Sequence, residues 1–222
     1  MSHSRGIYSY FCNGEAAGIE ETWECEDTSS GRCISSVRYA RPVGIVLRVD
    51  SIETAGKFQS CKLHWRRQLA DGPQEISADY RFDNGGLTIF VHDGQQEVTL
   101  QDASENYVFS PLMRIYTGGV LQQLCAMGGS GQVLVPYIVD PEQSGQLLRP
   151  SWSQREALAL AETSLEVDGR SLACMEYDYS GGEYPSGTRF WIDEQGVLLR
   201  YCWQQDSHTH WEVMLSDYER PA

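Results

Sequence analysis

Apolar and polar residues alternate along most of this 222-residue chain, and that period of two constrains the fold more than any other feature. Successive side chains of a β-strand point to opposite faces, so residues 43–52 place Ile45, Leu47 and Val49 on one face. Turn-forming groups separate the alternating segments: Asn13-Gly14, Asp71-Gly72-Pro73, Asp83-Asn84-Gly85-Gly86, Asp93-Gly94, Asp168-Gly169 and Glu194-Gln195-Gly196. The sequence therefore predicts about a dozen β-strands joined mainly by hairpins.

Residues 109–128 depart from the alternation. Their apolar side chains follow helical spacing: Leu112, Met113, Tyr116, Val120, Leu124 and Met127. Ser110 is a suitable N-cap, Pro111 suits the first helical position, and the glycines at 128–129 suit the end. The glycine pair at 118–119 either breaks this helix or lets it lie close against a sheet. We predict a helical insertion at about 109–128.

Two later segments are less clear. Residues 142–153 lie between prolines and are predicted to form a loop. Residues 154–167 contain good helix formers, but their leucines also suit a strand that runs into the following turn. We favour the strand because hairpin signals fill the rest of the chain.

One sheet of this many strands has to curl, since open edges invite pairing with other chains. We expect a mainly β protein built on a single highly curved antiparallel sheet, a half-barrel or open barrel, with the helix covering its concave side. No linker composition divides the chain, so residues 1–222 are predicted to form a single domain.

Charge and targeting signals limit the classes of partner. A formal net charge of −14 repels phosphate backbones, which argues against nucleic-acid binding. No apolar stretch approaches the ~18 residues of a membrane-spanning helix, and the N-terminus has no signal-peptide pattern. Seven cysteines without a short spacing motif read as reduced thiols. We expect a cytoplasmic protein that does not insert into membranes.

The first and last hairpins resemble those of a known family. Tyr8-x-Tyr10, Asn13-Gly14, Ala17-Gly18-x-Glu20 and Trp23 stand at the start, and Phe190-Trp191-Ile192-Asp193, Trp211-Glu212-Val213 and Tyr218-Glu219 at the end. These residues resemble bacterial lipoprotein-carrier-like half-barrel proteins, in which an unclosed antiparallel barrel holds a helix over an apolar cavity. The resemblance implies binding of a lipid-like or other apolar small molecule.

Arg114 is the first candidate ligand-binding residue. It lies in an apolar segment, where its guanidinium must reach water or find an anionic partner. It either faces a cavity and holds a ligand carboxylate, or forms a salt bridge that ties the helix to the sheet. Further candidates for the cavity wall are apolar, aromatic or imidazole side chains: Met113, Tyr116, Trp65, Trp23, Tyr10 and His64.

His208, His210 and Glu212 form a weaker candidate. On a strand they would share one face and could hold a metal ion, but that face is predicted to point to solvent. We therefore expect no metal site. The chain has no phosphate loop, dinucleotide fingerprint or hydrolase elbow, so no cofactor is expected either.

Three functions stay open. The first is a binding protein for an apolar or amphipathic small molecule. The second is a cofactor-free isomerase, hydratase or lyase in which His64, His92 and Arg114 do the acid–base work in the same cavity. The third is an interaction protein without a ligand. A cavity containing Arg114 or His64 favours the enzyme, purely apolar walls favour the binding protein, and a filled interior favours the third. The sequence does not indicate the oligomeric state.

Overall fold

The computed structural model describes residues 2–83, 86–92, 97–102 and 107–220. Predicted turns at Asn84-Gly85 and Asp93-Gly94 lie outside the described residues. The first eight strands are β1 (His3–Cys12), β2 (Glu15–Thr28), β3 (Gly31–Ala40), β4 (Ile45–Thr54), β5 (Lys57–Leu69), β6 (Gly72–Asp83), β7 (Gly86–His92) and β8 (Glu97–Asp102). They are followed by β9 (Tyr107–Phe109), α1 (Thr117–Ala126), β10 (Ser130–Pro136), β11 (Pro150–Val167), β12 (Arg170–Gly181), β13 (Tyr184–Asp193), β14 (Leu198–Gln204) and β15 (His210–Glu219).

All fifteen of these strands belong to one sheet. Its order is β8-β7-β6-β5-β4-β3-β2-β1-β15-β14-β13-β12-β11-β10-β9, so the first and last parts of the chain meet where β1 pairs with β15. Every pair is antiparallel except β9 and β10, which run parallel because α1 connects them as a crossover. The prediction of one mainly antiparallel sheet is confirmed.

The sheet curls until its two edges approach. Laid flat, fifteen strands would place β8 and β9 about 67 Å apart. Yet these edge strands follow each other in the chain, and the step from Asp102 to Tyr107 can span at most about 18 Å. The sheet is therefore barrel-like, as predicted.

The strands bury one face and expose the other. Many large side chains are almost wholly buried, among them Tyr8, Trp23, Leu63, Trp65, Tyr80 and Phe190. Their positions follow the alternation seen in the sequence, with Leu47 and Val49 buried on either side of the exposed Arg48. The inward faces of the strands thus form one continuous core.

The helix is shorter than predicted and begins seven residues later than its proposed N-cap. Ser110 and Pro111 do not start it: the Ser110 amide continues the β ladder by donating to the carbonyl of Leu134 (2.9 Å). Leu112 then adopts a left-handed conformation (φ 72°) and Met113 is extended. A 3-10 turn at Arg114–Tyr116 leads into α1. Tertiary hydrogen bonds, described below, hold residues 112–114 in place of helical ones.

Both glycine pairs act as predicted: one pair follows the end of the helix, and the other lets the helix lie close to the sheet. Helix α1 ends at Ala126, and Gly128 and Gly129 follow with positive φ. A β-carbon at Gly118 would overlap the carbonyl oxygen of Gly196, in the turn between β13 and β14. The helix therefore touches backbone there, which only glycine permits.

Residues 154–167 are strand, as favoured. The predicted loop at 142–153 is wrong at its end, because β11 already begins at Pro150. Residues 150–153 pair with the last four residues of β10. The first part of β11 therefore pairs with β10, and the ladder with β12 begins at Glu156.

Candidate functional site

Two ends of the barrel can be told apart. The helix end carries the turns at 29–30, 55–56 and 194–197, and α1 begins beside the last of them. The loop end carries residues 137–149 and the turn between β12 and β13. A cavity of about 420 Å³ lies at the loop end. Val139 and Glu183 are exposed beside it, so the cavity opens to solvent between these two connections.

The cavity has a mixed lining. Its apolar part includes Met113, Val120, Val135, Ile138, Val139 and Phe190. Its polar part includes Arg38, Arg114, Arg155, Tyr179, Glu183 and Tyr184. Apolar walls with a few converging polar groups are typical of small-molecule sites, and the volume lies in their usual range.

Residues 110–116 cross the interior of the barrel and form the floor of this cavity. The carbonyl of Leu112 accepts a hydrogen bond from Nη2 of Arg38 (2.6 Å). The backbone amide of Arg114 donates to Oε1 of Glu21 (2.5 Å), and the hydroxyls of Tyr116 and Ser51 are 2.9 Å apart. Inward residues of β2, β3 and β4 thus fix the path of this segment.

Glu21 is wholly buried and organises the base of the site. Its Oε2 accepts hydrogen bonds from both Nε (2.9 Å) and Nη2 (2.7 Å) of Arg38, and from the hydroxyl of Tyr10 (3.0 Å). Burial raises the pKa of Tyr10 to about 12, although Arg38 and Arg114 pull it down. The phenol therefore stays protonated near neutral pH and donates to the carboxylate.

Arg114 lies deep in the barrel but keeps part of its surface open to the cavity. Its Nε donates to the hydroxyl of Tyr10 (3.2 Å) and its Nη1 donates to that of Tyr184 (2.8 Å). The guanidinium carbon is 4.6 Å from the ring centre of Tyr201. Aromatic rings and phenol oxygens thus stabilise the cation.

Arg155 lies opposite and is also buried. It donates to Ser153 Oγ (2.9 Å), to the hydroxyl of Tyr179 (2.8 Å) and to Oε2 of Glu183 (2.9 Å). A β-carbon at Gly182, which has φ 60°, would come within 3.0 Å of its Nη2. The tight turn between β12 and β13 therefore closes directly over this arginine.

Residues 137–149 form the rim and also fill part of the interior. Leu147 and Leu148 have no exposed surface, and the hydroxyl of Tyr80 on β6 donates to the Leu148 carbonyl (2.6 Å). On the surface, Nη1 of Arg67 contacts Oε1 of Glu142 (2.5 Å). This segment therefore packs against β5 and β6 on one side and lines the cavity on the other.

The structure brings together some of the predicted ligand-binding residues. Arg114 and Met113 line the cavity, and Tyr10 lies directly behind Arg114. Tyr116 faces a second hollow of about 260 Å³ at the helix end, together with Phe58. The predicted salt bridge from the Arg114 guanidinium is not seen, since its hydrogen bonds to described residues go to phenols.

The other predicted residues lie elsewhere. Trp65 is buried in the core on β5, and Trp23 packs between Tyr8 and Tyr218. His64 is on the outer face of β5, about half exposed, with Nε2 3.6 Å from Oε2 of Glu75. None of the three is part of the lining of the loop-end cavity in the described chain.

The candidate metal ligands are not gathered into a site. His208 precedes β15, so it does not share the strand alternation of His210 and Glu212. Glu212 pairs instead with Nε of Arg200 (2.5 Å). Within residues 2–83, 86–92 and 107–220, no three histidine, cysteine or acidic side chains come close enough to hold a metal.

Sequence reasoning missed Arg38, Arg155, Tyr179 and Tyr184. Arg38 shares its strand face with the buried Ile34 and Ser36, so alternation alone marks it as an inward-facing cation. Tyr184 begins β13, directly after the turn that closes over Arg155. Both arginines could have been identified from the sequence as charged residues that fall on the same strand face as buried apolar residues.

Comparisons with known proteins support the fold and nothing finer. No protein-family model matches the chain, and no curated protein is similar enough in sequence to count as a relative. Among solved structures, the chain is similar to a Brucella abortus crystal structure described as a β-barrel-like protein of the domain of unknown function DUF1849. The TM-score is 0.58 at 10% sequence identity, over 99% of this chain and 98% of that one.

That likeness bears out a barrel-like fold. The more specific resemblance to lipoprotein-carrier-like proteins stays a prediction. In the part of the chain that the structure describes, no helix combines the length and the hydropathy needed to cross a membrane.

Proposed function

We propose that this protein binds an amphipathic small molecule in the loop-end cavity. The proposal rests on one observation: the cavity lining is divided between apolar side chains and arginines. Eight apolar side chains, Leu112 and Pro136 among them, lie beside three arginines within one hollow of about 420 Å³ that opens to solvent. Such a hollow can bury an apolar body while fixing the orientation of a polar end.

The protonation states in the cavity support binding over acid–base chemistry. The phenol of Tyr10 has its pKa raised to about 12, and burial raises the pKa of Tyr179 as well, so neither is a base near neutral pH. Both carboxylates at the site, Glu21 and Glu183, are already held by arginines. His64 is about half exposed on the outer face of β5.

A cofactor-free enzyme is the second candidate, and the presence of Arg114 in the cavity favours it. A cation that polarises a carbonyl or holds an enolate is useful to isomerases and lyases. The two candidates separate once a bound molecule is identified. A binding protein returns that molecule unchanged after incubation, whereas an enzyme returns a product of altered mass or connectivity.

Native mass spectrometry of freshly purified protein tests the first candidate. We expect an added mass that disappears on denaturation, and saturable binding of the neutral fluorescent dye Nile red. Absence of both an added mass and saturable dye binding would overturn the proposal.

A matched pair of variants locates the binding. Val135→Trp adds bulk inside the cavity, whereas Val46→Trp adds the same bulk at a half-buried position of β4 outside the cavity lining. We expect the first to weaken Nile red binding by about tenfold or more and the second to leave it within about twofold. Equal effects would place the dye elsewhere.

A further inference from the structure

We propose that the cavity selects a monoanionic carboxylate headgroup, which Arg114 holds. This inference rests on the proposed function and names the chemical class of the ligand. It follows from the charge balance of the site, from the hydrogen-bonding capacity left at Arg114, and from the two phenols that face the same space.

The charge balance leaves one cation over. Three arginines line the cavity. Glu21 takes two hydrogen bonds from Arg38, and Glu183 takes one from Arg155. Among the described residues, Arg114 is the arginine of the cavity whose guanidinium has no hydrogen bond to a carboxylate. The three arginines therefore carry one positive charge more than the two carboxylates neutralise. The protein as a whole, by contrast, has a net charge of −14.

The geometry of Arg114 leaves a donor edge toward the cavity. Nε and Nη1 donate to the hydroxyls of Tyr10 and Tyr184, while Nη2 has no hydrogen bond to a described residue. A guanidinium is planar and matches the two oxygens of a carboxylate. Glu21 attracts this cation through space but already holds Arg38, and the guanidinium has no carboxylate of its own to bond. Burying such a cation is costly, and a bound anion would relieve that cost.

Two phenols add donors at the same place. Tyr184 accepts a hydrogen bond from Arg114, and Tyr179 accepts one from Arg155. Neither hydroxyl donates to a described residue, so each keeps its own proton for an acceptor in the cavity. Their ring centres are 5.2 Å apart, which places both hydroxyl-bearing rings beside one headgroup. Tyr10 differs, because its proton is already given to Glu21.

The test compares ligands that share a tail and differ in the headgroup. The probes are dodecanoate, dodecanol, dodecyl phosphate and dodecyltrimethylammonium, measured by titration calorimetry near neutral pH. We expect dodecanoate to bind about tenfold or more tightly than dodecanol, and dodecyltrimethylammonium to bind more weakly than either. Tighter binding of dodecyl phosphate than of dodecanoate would overturn the choice of a monoanionic carboxylate.

Failure of this inference can be told from failure of the proposed function. If dodecanol and dodecanoate bind equally well, the cavity binds amphipathic molecules and the headgroup assignment is wrong. If no probe binds, the proposed function falls together with the inference.

Variants assign the selectivity to Arg114. Arg114→Gln should bring dodecanoate to the affinity of dodecanol while changing dodecanol by about twofold or less. Arg48→Gln removes the same charge from an exposed position of β4 and should keep the full preference. Tyr184→Phe keeps the cation and removes one donor, so we expect a loss of about threefold to tenfold for dodecanoate alone. The Tyr184→Phe variant keeps the test valid if Arg114→Gln does not fold.

Discussion

The inward faces of the barrel differ on its two sides. The apolar wall, β4–β7, buries side chains such as Leu47, Leu63, Trp65 and Ile89. The polar wall, β11–β14, buries Arg155, Tyr179, Thr188 and Tyr201 among its apolar residues. Nothing from β4–β7 is part of the lining of the loop-end cavity, whereas β11, β12 and β13 all contribute to it.

This difference indicates where the interior serves more than stability. On the apolar wall, residues 147–148 enter the barrel and Tyr80 binds their backbone, so the space is filled. Beside the polar wall the space stays open, and its cations are Arg155 from β11, Arg38 from β3 and Arg114 from the segment that crosses the barrel. Burying arginines costs free energy that apolar side chains of the same size do not. Among the described residues, Arg155 is the arginine with a buried side chain, and it lies beside the cavity, which supports a role in recognition there.

The largest expected effect is the loss of stability at alkaline pH. Burial raises the pKa of tyrosines on both sides, among them Tyr10, Tyr80 and Tyr201. Above pH 10 the unfolded chain releases phenolic protons that the folded protein keeps, so the free energy of unfolding falls as pH rises from about 10 toward 12 and beyond. Urea unfolding followed between pH 8 and 12 measures this decline.

The same titration distinguishes a buried tyrosine beside the cavity arginines from one on the apolar wall. Arg38 and Arg114 pull down the pKa of Tyr10, which reaches about 12, whereas Tyr80 has no arginine among the causes of its shift. Absorbance at 295 nm should show Tyr10 losing its proton at lower pH than Tyr80, with Tyr10→Phe and Tyr80→Phe identifying the signals. Phenolate appearing first from Tyr80 would mean that Arg38 and Arg114 do not lower the pKa of Tyr10 as described.

Glu21→Gln should give the next largest effect. The substitution keeps the shape of the side chain but leaves Arg38 deep in the barrel without its carboxylate. Removing one partner of a buried ion pair typically costs about 3 kcal/mol or more, and we expect that loss in urea unfolding. Glu219→Gln is the control: its pair with Arg5 is exposed, so the loss should stay below about 1 kcal/mol. Similar losses in both variants would show that Glu21 has no special role.

Gly118→Ala should destabilise the protein by about 2 kcal/mol, because the new methyl group would overlap the backbone of Gly196. That contact anchors α1 at the helix end and so fixes residues 110–116, the floor of the cavity. Gly119→Ala is the matched control. Its β-carbon meets no atom within 4 Å, so higher helix propensity should stabilise the protein by about 1 kcal/mol. Thermal unfolding of both variants measures the difference, and an equal change in both would mean that α1 does not pack as described.

Much of the fold was predictable because alternation is a local property. The strands, their hairpins and the barrel-like curvature follow from patterns within about ten residues. The start of α1 was not predictable in this way. Ser110 and Pro111 have the composition of a helix start, but partners more than 20 residues away, Leu134, Arg38 and Glu21, hold this segment extended.

The candidate site was predictable only in part for the same reason. Arg114 stands out because its own neighbours in the sequence are apolar. Alternation marks Arg155 as facing inward, but the pairing of distant strands decides that it meets Tyr184 at the cavity. His64 was proposed as a cavity residue because an imidazole can act as a base. The alternation of β5, however, already placed it on the face opposite the buried Trp65.

Tyr80→Phe gives the smallest expected effect and sharpens the contrast between the walls. The substitution removes the hydrogen bond to the carbonyl of Leu148 and keeps the ring packed against Phe109. We expect a loss of about 1 kcal/mol in urea unfolding, with unchanged affinity for Nile red, because Tyr80 belongs to the filled side of the barrel. Tyr39→Phe, at an exposed position, should change neither quantity. Weaker dye binding in Tyr80→Phe would mean that residues 137–149 couple the two sides, and the cavity would then depend on both walls.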